Sequence, residues 1–419
     1  MVVLFRFSFK ENYDLNISRK EGMMTTKSAL LIDKVISNQN SNTNKLSSLC
    51  QRRDLIVGVS STAFSFVLSQ STAAEASTGA TNKVKNEKKK RSDLGEIGLG
   101  CWSWGNEFVW QYDETMDYEL SRVFDLAVDS GIKLFDTADS YGADGKSERL
   151  LGKFCREYYD DANDNDEKKK KKSRIDDIIL ATKFAPYPWR ITSDSFVKAA
   201  KESANRFGRE SIELGQLHWS TENYQPLQER ALWDGIARAY EEGIIENVGL
   251  SNYGPRQLQK IHKYMSNRGI PIATLQVQYS LLSRFPELNG TKETCDELGI
   301  KLIAYSPLAL GLLTGKYSVE KPPPGLRGQA YKGVLKPLPI LLETMKEVAA
   351  VHNKTLPQVA LNYCISKGTV PIPGAKNTKQ LKDNLGAVGW RLSNSEIIEL
   401  DKAAEKVGVS VSQNIFQTA

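Results

Sequence analysis

Four residues that can hold or transfer a proton lie at the ends of short apolar runs. Asp136 ends one such run, and Tyr141 follows in the loop just beyond it. Lys183 ends the next run, and His218 ends the one after that. If these runs are neighbouring parallel strands, their ends lie roughly 5 Å apart, so the four side chains can converge on one spot. The spacing therefore predicts one site at the ends of three consecutive strands.

The four residue types can divide the work of a proton transfer. A tyrosine has an ordinary pKa of about 10, and a nearby ammonium group lowers that pKa. Lys183 would tend to lose its proton in an apolar environment unless it is paired, and Asp136 supplies the carboxylate. His218 can form a hydrogen bond with a substrate oxygen and fix its position.

Each of these residues also has an ordinary structural explanation when it is taken alone. Asp136 could cap a helix, Tyr141 could pack in the core, and His218 could be a satisfied core histidine. The occurrence of all four at matching strand ends favours a catalytic site over these explanations.

From Gly95 onward, short apolar runs alternate with amphipathic stretches. The runs predict eight strands, at Ile97–Ser103, Ile132–Phe135, Ile178–Thr182, Ile212–His218, Ile245–Leu250, Ile272–Val277, Leu302–Tyr305 and Val370–Ile372. Helical periodicity between them predicts helices that include Tyr118–Ser130, Asp194–Phe207, Glu229–Glu242 and Leu341–His352. Four glycines are placed to end helices, namely Gly131, Gly208, Gly243 and Gly299.

Eight strands that alternate with helices predict an α/β protein with a parallel sheet. Eight is also the number that closes into a (β/α)8 TIM barrel, whose reactive groups lie at the carboxyl ends of the strands. A doubly wound open sheet is the alternative, but its GxGxxG motif does not follow a strand: Gly98 and Gly100 begin one, and Ser103 breaks it. We therefore expect a single barrel over residues 93–419, behind a disordered targeting leader over residues 1–92.

Two insertions interrupt the alternation. Asp160–Ser173 is a block of acids followed by lysines, which predicts an exposed flexible loop. Lys321–Pro337 follows the seventh strand and therefore lies at the mouth of a barrel, where a loop can cover a bound ligand.

The leader has the composition of a targeting segment. The stretch after Met24 is rich in Ser, Thr and Asn and poor in acids, as in an organelle transit peptide. Arg52-Arg53, the apolar stretch Leu55–Leu68 and the Ala74–Ala76 site resemble a twin-arginine signal for the thylakoid lumen. The apolar stretch is shorter than the ~18 residues of a membrane span, so no integral membrane segment is expected. We expect a plastid location (stroma, plastoglobule or thylakoid lumen), and one undivided disordered arm is the alternative reading of the leader.

Charge and cysteine content exclude several classes of function. Residues 1–92 hold fifteen Lys and Arg against seven Asp and Glu, which leaves 41 basic and 43 acidic residues in the remainder. The basic excess therefore lies in the leader, and nothing supports a nucleic-acid partner for the folded part. The cysteines are odd in number and form no CxxC pair (Cys50, Cys101, Cys155, Cys295 and Cys364), and no HExxH is present, so we expect neither a disulfide framework nor a metal site.

Seven motifs strongly resemble those of the aldo-keto reductases. They are FDTADSYG (135–142), ATKF (181–184), QLHW (216–219), GLSNYG (249–254), QVQYS (276–280), AYSPLALGLLTGKY (304–317) and IPGAKN (372–377). The resemblance covers roughly Leu94 to Val407. It is strongest to the plant and algal chloroplast branch, through WSWG at Trp102–Gly105, Pro188–Arg190 and Arg284–Gly290.

The resemblance implies a nicotinamide-dependent reductase that converts an aldehyde or ketone to an alcohol, with NADPH as cofactor. It implies Asp136, Tyr141, Lys183 and His218 as the catalytic tetrad, with Tyr141 as the proton donor. The implied cofactor residues are Ser251, Asn252, Gln278 and Tyr305 at the nicotinamide, Ser306, Leu308, Gly311 and Leu312 at the pyrophosphate, and Lys376, Asn377, Gln380 and Asn384 at the adenosine. Ser220 and Gly215 depart from the family pattern without touching the tetrad.

The sequence also predicts a preference between the two nicotinamide cofactors. Lys376 lies between the eighth predicted strand and the following helix, where barrels commonly bind phosphate. An ammonium group there can contact a 2′-phosphate, which NADPH carries and NADH lacks. The alternative is that Lys376 is a solvated surface lysine.

The substrate is less well determined than the reaction. The loops at the predicted mouth carry five tryptophans (Trp102, Trp104, Trp110, Trp189 and Trp219), which suggests a flat or apolar carbonyl compound such as a reactive aldehyde or pyridoxal. We expect a monomer or a weak homo-oligomer. Some relatives of this fold are cofactor-binding regulatory subunits with little turnover, and that role is the alternative function.

Overall fold

A parallel sheet of eight strands forms the centre of the protein. The computed structural model describes residues 93–162, 164–408 and 416–418. The strands are β1 (Leu99–Gly100), β2 (Leu134–Asp136), β3 (Ile179–Phe184), β4 (Leu214–Leu217), β5 (Val248–Ser251), β6 (Ile272–Gln278), β7 (Lys301–Tyr305) and β8 (Val370–Pro371). Each strand pairs with the next along the chain, in the order β1 to β8.

The sheet closes where the first strand meets the last. Gly98 N donates to Pro371 O at 3.0 Å, and Gly100 N donates to Pro373 O at 3.1 Å. A Cβ atom on Gly100 would lie 2.7 Å from Ile372 O, so this close approach requires glycine. The prediction of a (β/α)8 barrel is confirmed.

Helices follow the strands. They are α1 (Glu107–Trp110), α2 (Asp117–Asp129), α3 (Lys146–Asp160), α4 (Asn165–Asp177), α5 (Ser193–Phe207), α6 (Pro226–Glu241), α7 (Pro255–Ser266), α8 (Phe285–Leu288), α9 (Thr291–Glu297), α10 (Leu326–Leu335), α11 (Leu338–His352), α12 (Leu356–Ser366), α13 (Thr378–Leu385) and α14 (Asn394–Val407). Capping boxes begin three of them, at Thr192, Thr355 and Ser393. All four glycines predicted to end helices have positive φ values.

Alternation along the strands places the apolar and polar layers of the barrel. Leu134, Ile179, Leu214 and Ile303, from four strands, belong to one buried apolar cluster. Residues two positions apart in a strand point to the same face. In each of these strands, the residue two positions after the cluster member therefore also points into the barrel. These residues form the next layer toward the mouth.

Both insertions differ from their predicted loop structure. The acid–lysine block forms part of α4, because Asp164 accepts hydrogen bonds from the backbone N–H groups of Asp166 and Glu167 at its start. Acids in the first turn and lysines further along suit the helix dipole. Lys321–Pro337 is likewise not a simple loop, since it contains α10.

Several predictions concern residues outside the described part of the chain. The transit-peptide and twin-arginine features, including Leu55–Leu68, all lie there. Within the described residues, no helix is both long and apolar enough to cross a membrane.

We expect the barrel to fold without residues 1–92, because its closing hydrogen bonds and its apolar cluster lie within residues 93–408. A variant that begins at Asp93 should remain soluble and unfold cooperatively on heating, as measured by circular dichroism. The full-length chain is the control. Insolubility of the shortened chain beside a soluble full-length chain would contradict this expectation.

Candidate active site

A buried ion pair occupies the layer above the apolar cluster. Asp136 lies two residues after Leu134, and Lys183 lies two residues after Ala181, so both side chains point into the barrel. Lys183 Nζ lies 2.6 Å from Asp136 Oδ1 and also donates to Thr137 O at 2.7 Å. The two side chains are only 1% and 3% exposed. The predicted pairing of Asp136 with Lys183 is present.

Two glutamines complete the environment of the Asp136 carboxylate. Gln276 Nε2 donates to Asp136 Oδ2 at 2.7 Å, and Gln216 Nε2 donates to the same oxygen at 3.1 Å. Both lie in motifs quoted from the sequence, but neither was predicted to belong to the site. Gln216 follows the inward-facing Leu214 at a spacing of two residues, and that alternation was the signal that could have identified it.

Tyr141 lies against the ion pair. Lys183 Nζ is 4.9 Å from the centre of the Tyr141 ring, and the His218 ring is 5.8 Å from it, edge to face. The Trp102 ring is also near, with its centre 6.3 Å from that of the Tyr141 ring. The structure therefore brings Asp136, Tyr141, Lys183 and His218 together, as the sequence predicted.

Burial favours the uncharged forms of Tyr141 and His218. Burial raises the pKa of Tyr141 well above its ordinary value, and the Asp136 carboxylate raises it further. The net pKa of Tyr141 is therefore raised, whereas the lysine alone was expected to lower it, because burial and the neighbouring carboxylate outweigh the effect of the ammonium group. Burial also lowers the pKa of His218 well below its ordinary value, with the Lys183 cation as a second cause. Tyr141 therefore keeps its proton at neutral pH, and His218 is uncharged.

Burial also acts on Lys183. It lowers the pKa of the ammonium group, whereas the Asp136 carboxylate opposes that change. The buried site thus consists of one ion pair and two uncharged rings that can form hydrogen bonds.

The loop after β5 is joined to the His218 segment. Asn252 Nδ2 donates to His218 O at 3.0 Å, and Tyr305 OH donates to Asn252 Oδ1 at 3.0 Å. Asn252 has a φ of 62°, which turns the chain sharply after Ser251. Gln278, at the end of β6, donates to Ser283 Oγ at 3.2 Å. The four residues predicted at the nicotinamide thus end the neighbouring strands β5, β6 and β7 or follow them directly.

A tight turn follows β7. Its φ values are positive at Ser306 (51°), Ala309 (49°), Leu310 (53°) and Gly311 (97°). Leu312 is fully buried beneath the turn. Left-handed backbone of this kind turns successive N–H groups toward a common concavity, as in anion-binding nests. The residues predicted at the pyrophosphate, Ser306 to Leu312, therefore lie in a segment suited to binding phosphate.

The residues predicted at the adenosine surround the start of α13. Asn377 caps this helix by accepting a hydrogen bond from Gln380 N. Gln380 Oε1 in turn accepts from Lys376 N at 2.8 Å, and Asn384 Nδ2 donates to Gly374 O at 3.4 Å. Burial lowers the pKa of the Lys376 ammonium group, and two nearby cations, Arg327 and Lys316, lower it further. A group of cations beside a helix N-terminus fits a phosphorylated cofactor.

A second buried ion pair fixes the loop after β3. The side chains of Asp139 and Arg190 form an ion pair at 2.5 Å and are only 2% and 11% exposed. Arg190 also donates to Ala185 O, and its guanidinium group lies 4.8 Å from the centre of the Tyr187 ring. Tyr187 stacks on Trp189, whose side chain projects into solvent. The ion pair therefore helps to hold the rings of Tyr187 and Trp189 in the loop after β3, the strand that carries Lys183.

One of the predicted mouth aromatics belongs elsewhere. Trp104 is fully buried in the main hydrophobic core, and its indole N–H donates to Ala375 O at 3.0 Å. It joins the β1 loop to the β8 loop and does not line the mouth. Among the described cysteines, Cys101, Cys155, Cys295 and Cys364 are all free and buried. No group of three metal-binding side chains occurs among the described residues.

Comparison with known proteins identifies the family. The model of the aldo/keto reductase family matches residues 96–405, which is nearly the whole barrel. The chain belongs to the aldo/keto reductase family. It is therefore an oxidoreductase, and the resemblance noted in the sequence is confirmed.

Curated relatives and solved structures agree with this assignment. The chain is 50% identical over 325 residues to a chloroplastic pyridoxal reductase of Arabidopsis thaliana, covering 77% of this chain and 86% of the relative. It is 31% identical to an aldo-keto reductase of Strobilurus tenacellus over 77% of this chain and 92% of that one. A thermostable aldo-keto reductase solved with the inhibitor epalrestat has a TM-score of 0.58 and 25% identity, over 74% of this chain and 95% of that chain.

We expect Arg190→Met to destabilise the protein in a pH-dependent manner. Breaking a buried ion pair costs about 3–5 kcal/mol of the free energy of unfolding. Burial raises the pKa of Asp139 to about 6, and Arg190 opposes this rise most, with a smaller contribution from the Ala185 N–H group. Without Arg190 the pKa should rise further, so the folded variant favours the protonated carboxyl. The deficit relative to wild type should therefore be largest at about pH 8 and shrink as the pH falls through 6.

Urea denaturation at about pH 8 and about pH 5 measures this effect. Asp139→Asn combined with Arg190→Met is the matched control, because it removes the unpaired carboxylate and should restore much of the lost stability at high pH. An equal deficit at both pH values would show that charge burial is not the cause.

Proposed function

We propose that this protein is an NADPH-dependent carbonyl reductase in which Tyr141 is the proton donor. The observation that supports the proposal is the convergence of Tyr141 and His218 on the buried Asp136–Lys183 pair at the mouth of the barrel. The substrate is a small aldehyde or ketone, which becomes an alcohol.

In the proposed reaction, the side chains hold the carbonyl group and move one proton. His218 is neutral and can donate a hydrogen bond to the carbonyl oxygen, which fixes the substrate in place. Bound NADPH supplies the hydride that reduces the carbonyl carbon. As negative charge develops on the oxygen, the Tyr141 hydroxyl transfers its proton to it, and the neighbouring Lys183 ammonium stabilises the tyrosinate that remains.

A tyrosine of ordinary pKa is already protonated at neutral pH, and burial, which raises the pKa of Tyr141, makes its hydroxyl a weaker acid. The hydroxyl therefore gives up its proton only to a strong base, such as the negative charge that develops on the substrate oxygen. The ion pair then matters most after transfer, when the phenolate needs a cation nearby.

The cofactor residues form three groups along the proposed binding groove. Ser251, Asn252 and Gln278 would hold the nicotinamide amide, with Tyr305 stacked on the ring. The tight turn after β7, with Ser306, Leu308, Gly311 and Leu312, would hold the pyrophosphate. Lys376, Asn377, Gln380 and Asn384 would surround the adenosine end. A solved structure of similar fold, an aldo-keto reductase of Klebsiella pneumoniae, was determined in complex with NADPH.

We propose a flat aldehyde of the pyridoxal type as the substrate. The chloroplastic relative from Arabidopsis thaliana is named a pyridoxal reductase. The rings of Trp102 and His218 lie next to that of Tyr141, and the ring of Trp219 lies next to that of His218. These aromatic groups could pack against the flat ring of such a substrate. The name of the same relative supports a plastid location for this chain. We propose residues 1–92 as its leader and residues 93–419 as its catalytic domain.

We expect Tyr141→Phe to abolish reduction while leaving cofactor binding nearly unchanged. The phenyl ring preserves the contacts with Trp102 and His218, and only the proton donor is lost. General acid catalysis contributes roughly 10²–10⁴-fold to rate, so single-turnover reduction of pyridoxal should slow by that factor. Tyr118→Phe, at a side chain that is 76% exposed, is the matched control. A Tyr141→Phe variant that keeps more than half the wild-type rate would rule out the mechanism.

We expect a preference for NADPH over NADH that depends on Lys376. Charge-assisted contacts contribute about 1.5–3 kcal/mol, so the ratio of kcat/KM values should fall roughly tenfold to a hundredfold in Lys376→Met. The control is Lys379→Met, which removes an exposed lysine from the first turn of α13, three residues after Lys376, and should leave the ratio unchanged. A wild-type ratio near one, or a ratio that Lys376→Met does not change, would return Lys376 to the role of a solvated surface lysine.

A further inference from the structure

Trp110 ends the short helix after β1 and lies between two functional regions. Its ring meets that of Trp102 edge to face, with the ring centres 5.5 Å apart. Trp102 in turn lies 6.3 Å from the ring of Tyr141. On another side Trp110 faces the cations near the start of α13. It was not among the cofactor residues predicted from the sequence.

The indole N–H of Trp110 is buried and, among the described residues, has no hydrogen-bond acceptor. An indole N–H can only donate, and leaving it unpaired away from water is unfavourable. Four other tryptophans show the usual outcome, since the N–H groups of Trp104, Trp219, Trp233 and Trp390 all donate to protein oxygens. The Trp110 indole N–H therefore calls for a hydrogen-bond acceptor that the described residues do not provide.

Two cations lie over the same ring. The Arg327 guanidinium carbon is 4.8 Å from the centre of the Trp110 ring, and Lys376 Nζ is 5.8 Å from it. Within the described part of the chain, no carboxylate forms an ion pair with Arg327, Lys376 or the neighbouring Lys316. The mutual repulsion shows in Lys376, whose pKa is lowered by burial and by the Arg327 and Lys316 cations. A bound anion would offset the repulsion among these three cations.

The missing partner must be both an acceptor and an anion. A phosphate oxygen meets both requirements, because it accepts the indole hydrogen bond and neutralises the cations. We propose that Trp110 donates its indole N–H to a phosphate group of the bound dinucleotide, and that Arg327 shares this phosphate with Lys376. The inference rests on the proposed function and adds Trp110 and Arg327 to the binding site.

The position of Arg327 gives the contact a second consequence. Arg327 belongs to α10, which lies in the insertion after β7, whereas Lys376 precedes α13 and Trp110 ends α1. One phosphate group would therefore join three separate segments at the mouth. The insertion after β7 would then cover the cofactor through the contact of Arg327 with the phosphate. The contact between the Trp110 and Trp102 rings would link the phosphate site to Tyr141.

Trp110→Phe is the sharpest test, because it preserves the aromatic ring and removes only the N–H group. Isothermal titration calorimetry on the full chain measures the Kd of NADP⁺ and of NAD⁺ without any catalytic turnover. We expect the Kd of NADP⁺ to rise roughly tenfold in Trp110→Phe and at least as much in Arg327→Met, since each removes a charge-assisted contact. Trp189→Phe, at an exposed tryptophan of another loop, should leave both values within twofold of wild type.

The two nucleotides distinguish the two possible sources of the phosphate. A loss confined to NADP⁺ supports the 2′-phosphate, and an equal loss for NADP⁺ and NAD⁺ supports the pyrophosphate. Wild-type binding of NADP⁺ that neither substitution weakens by more than twofold would overturn this inference and leave the proposed function intact. Failure of the wild-type chain to bind either nucleotide would overturn both.

Discussion

The buried carboxylate of Asp136 is the constraint on which the site depends. A charged group inside an apolar barrel costs several kcal/mol unless its lone pairs are satisfied. Here Lys183 approaches one oxygen, while Gln216 and Gln276 donate to the other. These donors come from β3, β4 and β6, so they reach the carboxylate only in one register of the sheet. A slip of one residue in any of these strands would turn its donor to the outer face.

The same burial that makes the ion pair costly prepares the site for chemistry. It raises the pKa of Tyr141 and lowers that of His218, so both rings are uncharged while the pair beneath them is not. Hydrogen bonds and charge interactions are strong in such an environment because little water competes for them. The proposed acid therefore needs no conformational change to become protonated, and its conjugate base already has a cation within reach.

The sequence predicted the elements with strong periodicity and missed those that depend on neighbours. The strand ends at Asp136 and Lys183 were predicted from the points where short apolar runs stop, as buried parallel strands are near-continuous apolar runs. The role of Gln276 could not be seen because it depends on which strands lie opposite each other across the barrel. The helix α4 was misjudged because a run of like charges usually indicates a solvated loop, whereas here the Asp164 cap and the order of acids before lysines favour a helix. Trp104 was assigned to the mouth because it lies in a loop after a predicted strand. A tryptophan in such a loop can equally turn into the core, and Trp104 does so.

The seam between β1 and β8 also has a consequence for how the chain reaches its folded state. The Trp104 indole and its acceptor at Ala375 are 271 residues apart in the sequence. A ribosome that adds roughly 5–20 residues per second needs tens of seconds to synthesise that interval. During this time the growing sheet has two open edges, and its apolar strands have no closed barrel to enter. The yield of soluble protein in any host should therefore follow the supply of chaperones during translation more closely than the stability of the finished barrel.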